Sequence, residues 1–111
     1  MRWAEIIDRA AAEGIDSPTY RQLDVWTASG RLTADMRSGH PGGKYRWWPD
    51  AEVEVALLVA RLISIGMDVD LAFQVARTAP TPDGTRLLTL DGGRPPWVRV
   101  EVGPPVENLG S

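Results

Sequence analysis

One segment, WPDAEVEVALLVARLISIG at residues 48–66, constrains the fold of this chain more than any other. Its apolar residues recur at the spacing of an amphipathic helix, and they form a wide stripe of Val55, Leu58, Val59, Leu62 and Ile63. Pro49 can begin this helix, acidic side chains near its start suit the helix dipole, and Gly66 can end it. A chain of 111 residues suits one domain with one core, so we predict that this helix lies at its centre.

Two shorter helices are predicted before it. Residues 3–13 form the first, with Gly14 as its stop and an inner face of Trp3, Ile6, Ile7, Ala10 and Ala11. Ser17 is a good N-cap and Pro18 fits the first helical position of the second, which Gly30 ends. The core is expected to contain Leu23, Trp26 and one of the pair Trp47 and Trp48.

Two β-hairpins are predicted from turn-forming clusters between short strands. Residues 33–37 and 44–48 flank the cluster SGHPGG, which gives a hairpin with a basic tip. Residues 85–90 and 97–102 flank DGGRPP and form the second hairpin. A helix-turn-helix followed by a basic hairpin is the arrangement of a winged helix, so the predicted class is mainly α with small β.

A fourth helix is predicted over residues 69–77, because Asp68 can cap it and Leu71, Ala72 and Val75 can face inward. The turn formers that follow divide the chain into a domain at 1–78 and a second part at 79–111. The second part comprises a linker, the second hairpin and a loose tail.

Charge is distributed unevenly along the chain. The net charge of −3 argues mildly against nucleic acid, since duplex binding depends on phosphate neutralisation. Residues 20–47, however, carry five basic and two acidic side chains, whereas residues 49–111 carry five basic and nine acidic ones. This distribution is compatible with a single cationic face.

Several function classes are excluded by composition. The chain has no cysteine and one histidine, so disulfides, thiolate metal sites and a nucleophile–histidine–acid set are not expected. The segment SGHPGGK lacks the spacing of a phosphate-binding loop. We therefore expect no enzyme activity, no metal and no cofactor. No apolar run approaches the roughly 18–20 residues of a membrane span, and the start does not resemble a signal peptide, so we expect a cytoplasmic, nucleoid-associated protein.

The order and spacing of the elements resemble the DNA-binding domain of the MerR-like winged-helix superfamily. The shared pattern comprises TYRQLDVWTASGRL, GGKYRWWPDAEV, ALLVARLISIG and MDVDLAFQVAR, and it covers roughly residues 3–77. The long dimerisation helix and effector domain of full-length members are missing, as are metal-binding cysteines. The chain is therefore similar to small stand-alone members, which include phage excisionases and compact transcription factors.

The resemblance implies that the second helix enters the major groove of DNA. Arg21 would then pair with guanine and Gln22 with adenine. The hydroxyls of Thr19 and Tyr20 suit phosphate oxygens, which position the protein without specifying sequence. The hairpin cations suit phosphates or a narrow minor groove, and they are Arg37, Lys44, Arg46 and His40.

Each assignment has a structural alternative. Arg21 could be a solvated helix residue and Tyr20 a half-buried aromatic, and a loop role is favoured over a DNA contact for His40. Arg46 could pair with an acid such as Asp50 and only order the hairpin. Asp24 is unfavourable close to phosphate, so we expect it to orient Arg21 or to face the first helix.

The sequence thus favours a sequence-specific double-stranded DNA-binding protein, either a small transcription regulator or a phage-type excisionase. Its protein partner would be RNA polymerase or a recombinase, and no membrane is involved. We expect a monomer in solution, or weak self-association on DNA. The alternative is a protein-protein interaction module on a winged-helix scaffold, which the net acidity favours.

Overall fold

Four helices and two antiparallel hairpins form the described parts of the chain, which are residues 1–39, 43–90 and 96–104 of a computed structural model. The helices are α1 (Trp3–Ala12), α2 (Tyr20–Ala28), α3 (Asp50–Ser64) and α4 (Val69–Arg77). The first hairpin pairs β1 (Asp35–Ser38) with β2 (Lys44–Trp47), and the second pairs β3 (Arg86–Leu90) with β4 (Val98–Val102). The predicted mixture of four helices and two small hairpins is therefore confirmed.

The core is built around α3, but the buried face of this helix differs from the predicted stripe. Its fully buried residues are Val53, Ala56, Leu57, Val59, Ala60 and Leu62. The predicted Val55, Leu58 and Ile63 are only partly buried. The buried face is rotated about the helix axis toward Val53, Ala56, Leu57 and Ala60, and a stripe chosen by large apolar residues overlooks the two alanines. At 15 residues α3 is the longest described helix, and no helix in the described ranges is long and apolar enough to span a membrane.

Two of the tryptophans are buried in the core, and the one at the start of α1 is not. Trp26 is buried, as predicted, and its ring packs edge-to-face against Phe73 of α4 at a centroid distance of 5.3 Å. Trp48 is also buried, and its Nε1–H donates a hydrogen bond to Thr27 Oγ1 at 3.1 Å. The expectation that Trp3 faces inward is wrong, since its side chain is 45% exposed. Trp3 sits at the first position of α1, and its ring contacts Tyr20 at the surface instead of entering the core.

A polar network ties α3 to α4 and to the loop that enters the first hairpin. The guanidinium of Arg77 donates to both carboxylate oxygens of Glu52, at 2.5 and 2.9 Å, and to the carbonyl of Arg31 at 2.6 Å. The backbone N–H of Thr33 donates to Glu52 at 2.7 Å. The hydrogen bonds from Arg77 are the main reason that the pKa of Glu52 lies below its ordinary value. This network fixes the loop from which β1 begins.

The second hairpin packs on the same core as the helices. Leu88, Val100 and Val102 are partly buried against that core. The Arg86 guanidinium donates to the carbonyls of Ala76, at 3.0 Å, and Thr78, which lie at the end of α4. The base of the hairpin is therefore held by both apolar packing and hydrogen bonds.

Candidate nucleic-acid interface

The start of α2 differs from the sequence expectation. Its N-cap is Thr19, whose Oγ1 accepts a hydrogen bond from the Gln22 N–H at 3.1 Å, while Gln22 Oε1 accepts one from the Thr19 N–H at 2.8 Å. This reciprocal capping box starts the helix at Tyr20. Ser17 is therefore not the cap, and Pro18 is a buried residue before the helix rather than its first member. The T-x-x-Q spacing is the sequence pattern of this capping box, but the preceding Ser-Pro pair also resembles a helix start and was chosen instead.

The capping box limits what Thr19 and Gln22 can do. A bidentate contact of Gln22 with adenine would use its side-chain oxygen and its nitrogen together. That oxygen already binds the Thr19 backbone, so such a contact would have to open the box. The Thr19 hydroxyl is likewise engaged by the helix start. Both residues remain at the predicted surface, but their first task is to begin the helix.

The outward face of α2 carries Arg21, Val25 and Ala28, which are exposed at the i, i+4 and i+7 positions of one stripe. Among the described residues, no hydrogen bond or ion pair engages the Arg21 guanidinium. Val25 is 47% exposed, which the sequence did not suggest. It lies off the buried face formed by Leu23 and Trp26, so its exposure follows from helical geometry.

An aromatic cleft opens beside the first turn of α2. Tyr20 and Trp3 meet edge-to-face at a centroid distance of 4.8 Å, and both side chains are about half exposed. Together with side chains of the first hairpin, including Met36 and Tyr45, they line a cleft of about 360 Å³. The predicted site contained Tyr20 but missed Trp3, because helical periodicity assigned Trp3 to the core.

An ion pair joins the first hairpin to α2. The Arg46 guanidinium on β2 lies 2.5 Å from the Asp24 carboxylate on α2. Arg46 does not pair with Asp50, the acid suggested by proximity in sequence, although an ordering role for Arg46 was one of the two alternatives. In the described residues Asp24 makes no hydrogen bond or ion pair with the Arg21 guanidinium, and it lines the same cleft as Trp3 of α1. The two partners are 22 residues apart, so only the folded chain reveals them.

Two arginines lie over aromatic rings at the hairpin. The guanidinium of Arg37 lies 3.5 Å from the centre of the Trp47 ring, and that of Arg2 lies 3.8 Å from the centre of the Tyr45 ring. Such cation–π contacts hold a guanidinium in place while leaving its N–H groups available. Arg2 was absent from the predicted site, because it precedes α1 and joins the hairpin only through the fold.

The charge of this surface is positive but not uniform. Lys44 is exposed at the start of β2, whereas the acidic Asp35 is exposed on β1 and shares a face of the hairpin with Arg37. His40, predicted at the hairpin tip, lies outside the described residues. Within the described ranges, four cations of α2, of the hairpin and of the segment that packs on the hairpin make no ion pair, namely Arg21, Arg37, Lys44 and Arg2. The described residues contain no cluster of three His, Asp or Glu side chains that could hold a metal ion.

Comparison of the chain with protein-family models, curated proteins and solved structures finds no match. Function is therefore inferred from this surface itself. The surface combines a capped helix start, exposed cations on two adjacent elements, and an ion pair that fixes one element against the other.

Proposed function

We propose that this protein binds double-stranded DNA in a sequence-specific manner, as a small winged helix-turn-helix protein of the MerR-like type. The observation that carries the proposal is the Asp24–Arg46 ion pair between α2 and the first hairpin. It holds a cationic hairpin beside the exposed start of a helix. Helix-turn-helix proteins present this combination to a major groove and the adjacent backbone.

Base recognition is assigned to the exposed stripe of α2. Arg21 has the exposure and the available donors for a bidentate contact with guanine O6 and N7. Val25, one turn further along, suits apolar contact with a thymine methyl group. Tyr20 and Thr19 stand at the helix start, where hydroxyls reach phosphate oxygens.

Backbone contacts are assigned to the hairpin and its neighbour. Arg37 and Arg2 are held over aromatic rings, and Lys44 is exposed, so each can neutralise a phosphate. The guanidinium of Arg46 is shared with Asp24, which gives it a positioning role in addition to the predicted phosphate contact. The net charge of −3 then reflects the acidic remainder of the chain rather than this surface.

Two tasks fit such a protein. As a transcription regulator it would act beside RNA polymerase, and as a phage-type excisionase it would bend DNA to redirect a recombinase. Both tasks use the same groove contacts, so the bound site and the partner protein distinguish them.

The alternative, a protein-protein interaction module, is favoured by the aromatic cleft. Trp3, Tyr20 and Met36 are each at least 45% exposed around it, and exposed aromatic and Met side chains are common in protein interfaces. The two functions differ in their response to salt, since only phosphate binding weakens steeply as counterions are added.

Selection of bound duplexes from a random pool tests the proposal. We expect the wild-type protein to enrich one short motif, and Arg21→Ala to enrich a motif relaxed at one base pair. Arg61→Ala is the matched control, because Arg61 lies on α3 in an ion pair with Glu13, away from α2. Failure of the wild-type protein to enrich any motif would reject sequence-specific DNA binding.

A further inference from the structure

Strand β4 has an open edge. The second hairpin forms a two-stranded sheet in which β4 pairs only with β3. In the described part of the chain, no other strand and no loop backbone hydrogen bond lies along its outer side. Three of its five residues, Val98, Arg99 and Glu101, are exposed. An open edge of this kind can pair with a strand of another chain.

The sequence of β4, Val-Arg-Val-Glu-Val, is complementary to itself. When two copies pair antiparallel with Val100 opposite Val100, Arg99 of each copy lies directly opposite Glu101 of the other. Two attractive cross-strand pairs therefore form at once. Within the hairpin the same side chains lie opposite neutral residues, Thr89 and Leu87, and neither charge has an ion-pair partner among the described residues.

The other face of β4 supplies apolar contacts in the same register. Val98, Val100 and Val102 occupy alternate positions of the strand and share that face, and Val98 is 51% exposed. Pairing about Val100 places Val98 of one copy opposite Val102 of the other. Val102 lines a groove of about 460 Å³ together with Leu58 and Leu62 of α3 and with Ile65, which directly follows that helix. Ile65 is 78% exposed, so this groove has apolar surface that a second copy can cover.

We propose that two copies of this chain associate through their β4 edges, with a two-fold axis at Val100, to form a four-stranded sheet. The same patch serves both copies, so the interface closes on itself and gives a dimer rather than a filament. Five residues of strand and one groove make a small interface, so we expect association on the order of 10–100 µM. From the sequence we expect a monomer in solution or weak self-association on DNA; this interface differs from that expectation, because it forms in solution and does not depend on DNA binding.

Sedimentation equilibrium of the purified whole chain, without DNA, tests the inference. The wild-type protein is expected to dimerise with rising concentration. R99E and E101R should each weaken dimerisation about tenfold, because each change replaces two attractive pairs with two repulsive ones. An equimolar mixture of R99E with E101R should associate again, since both cross-strand pairs become attractive in the mixed dimer. The double variant R99E/E101R should also dimerise.

Matched controls separate this surface from the proposed DNA-binding surface and from folding. R21E makes the same change in charge as R99E, but on α2, and should leave the sedimentation behaviour unchanged. Circular dichroism melts should show that R99E and E101R are folded, because both positions are exposed. A wild-type protein that stays monomeric at several hundred micromolar would overturn the inference. So would a dimer that both single changes leave intact, or a mixture of the two that does not associate.

Discussion

At the scale of single residues, two arginines of the same basic segment have different surroundings. Arg21 is exposed on the outward face of α2 and has no hydrogen-bond or ion-pair partner among the described residues. Arg46 lies against Asp24, with its side chain 34% exposed. From the sequence alone, both residues are predicted to contact DNA, with a solvated surface role for Arg21 and a hairpin-ordering role for Arg46 as the alternatives. In the structure Arg21 is available for an external contact, whereas Arg46 attaches the hairpin to α2.

Arg21→Ala should weaken binding to the selected duplex by about 1–3 kcal/mol and relax preference at one base pair. The reason is the loss of a bidentate donor at the exposed helix start. Titration of the variant against duplexes changed at single base pairs measures both effects. Unchanged base preference would reject a base-reading role for Arg21.

Lys44→Ala should weaken binding almost equally on all duplexes and lower the slope of log affinity against log salt by about one. Lys44 is an exposed cation on the hairpin and makes no ion pair in the described residues, so its expected partner is a phosphate. Affinity measured on selected and random duplexes at several salt concentrations checks this. A change in base preference at constant slope would contradict the phosphate role.

At the scale of elements, the question is how the first hairpin keeps its position beside α2. The hairpin has two strands of four residues each, which is too small to be stable alone. The ion pair from Arg46 to Asp24 attaches its second strand to α2, and Trp48, directly after that strand, donates a hydrogen bond to Thr27 of α2. The network around Glu52 holds the loop that leads into its first strand.

A double-mutant cycle on Asp24→Asn and Arg46→Ala should give a coupling free energy of unfolding of about 0.5–1 kcal/mol, because both side chains are partly exposed. Either change should also weaken specific DNA binding, since the hairpin is then less well positioned. Urea unfolding of the four proteins gives the coupling. Independent effects on stability, with specific binding intact, would show that the pair does not position the hairpin.

Glu52→Gln should destabilise the protein by about 1–2 kcal/mol at neutral pH, because it weakens charge-assisted bonds to Arg77. The pKa of Glu52 is lowered in the folded state, so its contribution to stability is present above its ordinary value of 4.5. That contribution is lost as the pH falls below 4.5 through the folded-state pKa. Urea unfolding as a function of pH should show the two proteins converging in acid. A constant difference across the range would contradict this origin.

At the scale of the whole molecule, local sequence patterns predicted the elements better than their contacts. The range of α4 followed from its Asp68 cap and its periodicity, and the structure has the same bounds. The buried face of α3 was predicted less well, because the helix buries a face that includes Val53, Leu57 and the weakly hydropathic Ala56 and Ala60. Periodicity predicts that a segment is an amphipathic helix. The neighbouring elements that pack on the helix determine which of its side chains are buried.

At the candidate surface, too, local patterns predicted exposed residues but not the contacts between elements. Exposed cations at Arg21 and Lys44 followed from a local pattern of polar residues at a helix start and a turn. The contacts of Arg2 with Tyr45 and of Arg46 with Asp24 join residues far apart in sequence, so no local pattern contains them. The roles of Trp3 and Val25 likewise depend on which parts of α1 and α2 other elements leave uncovered.

The affinity of the wild-type protein for duplex DNA, measured across a range of salt concentrations, tests the central claim most directly. Counterion release gives a slope of about −0.9 for each phosphate contacted. Arg46 is neutralised by Asp24 and adds little to the slope. With Arg2, Arg37 and Lys44 as phosphate contacts, log affinity should fall with log salt at a slope of about −3, and a selected duplex should bind more tightly than a random one at every concentration. Negligible affinity at low salt, or binding that does not change with salt, would contradict DNA recognition by this surface.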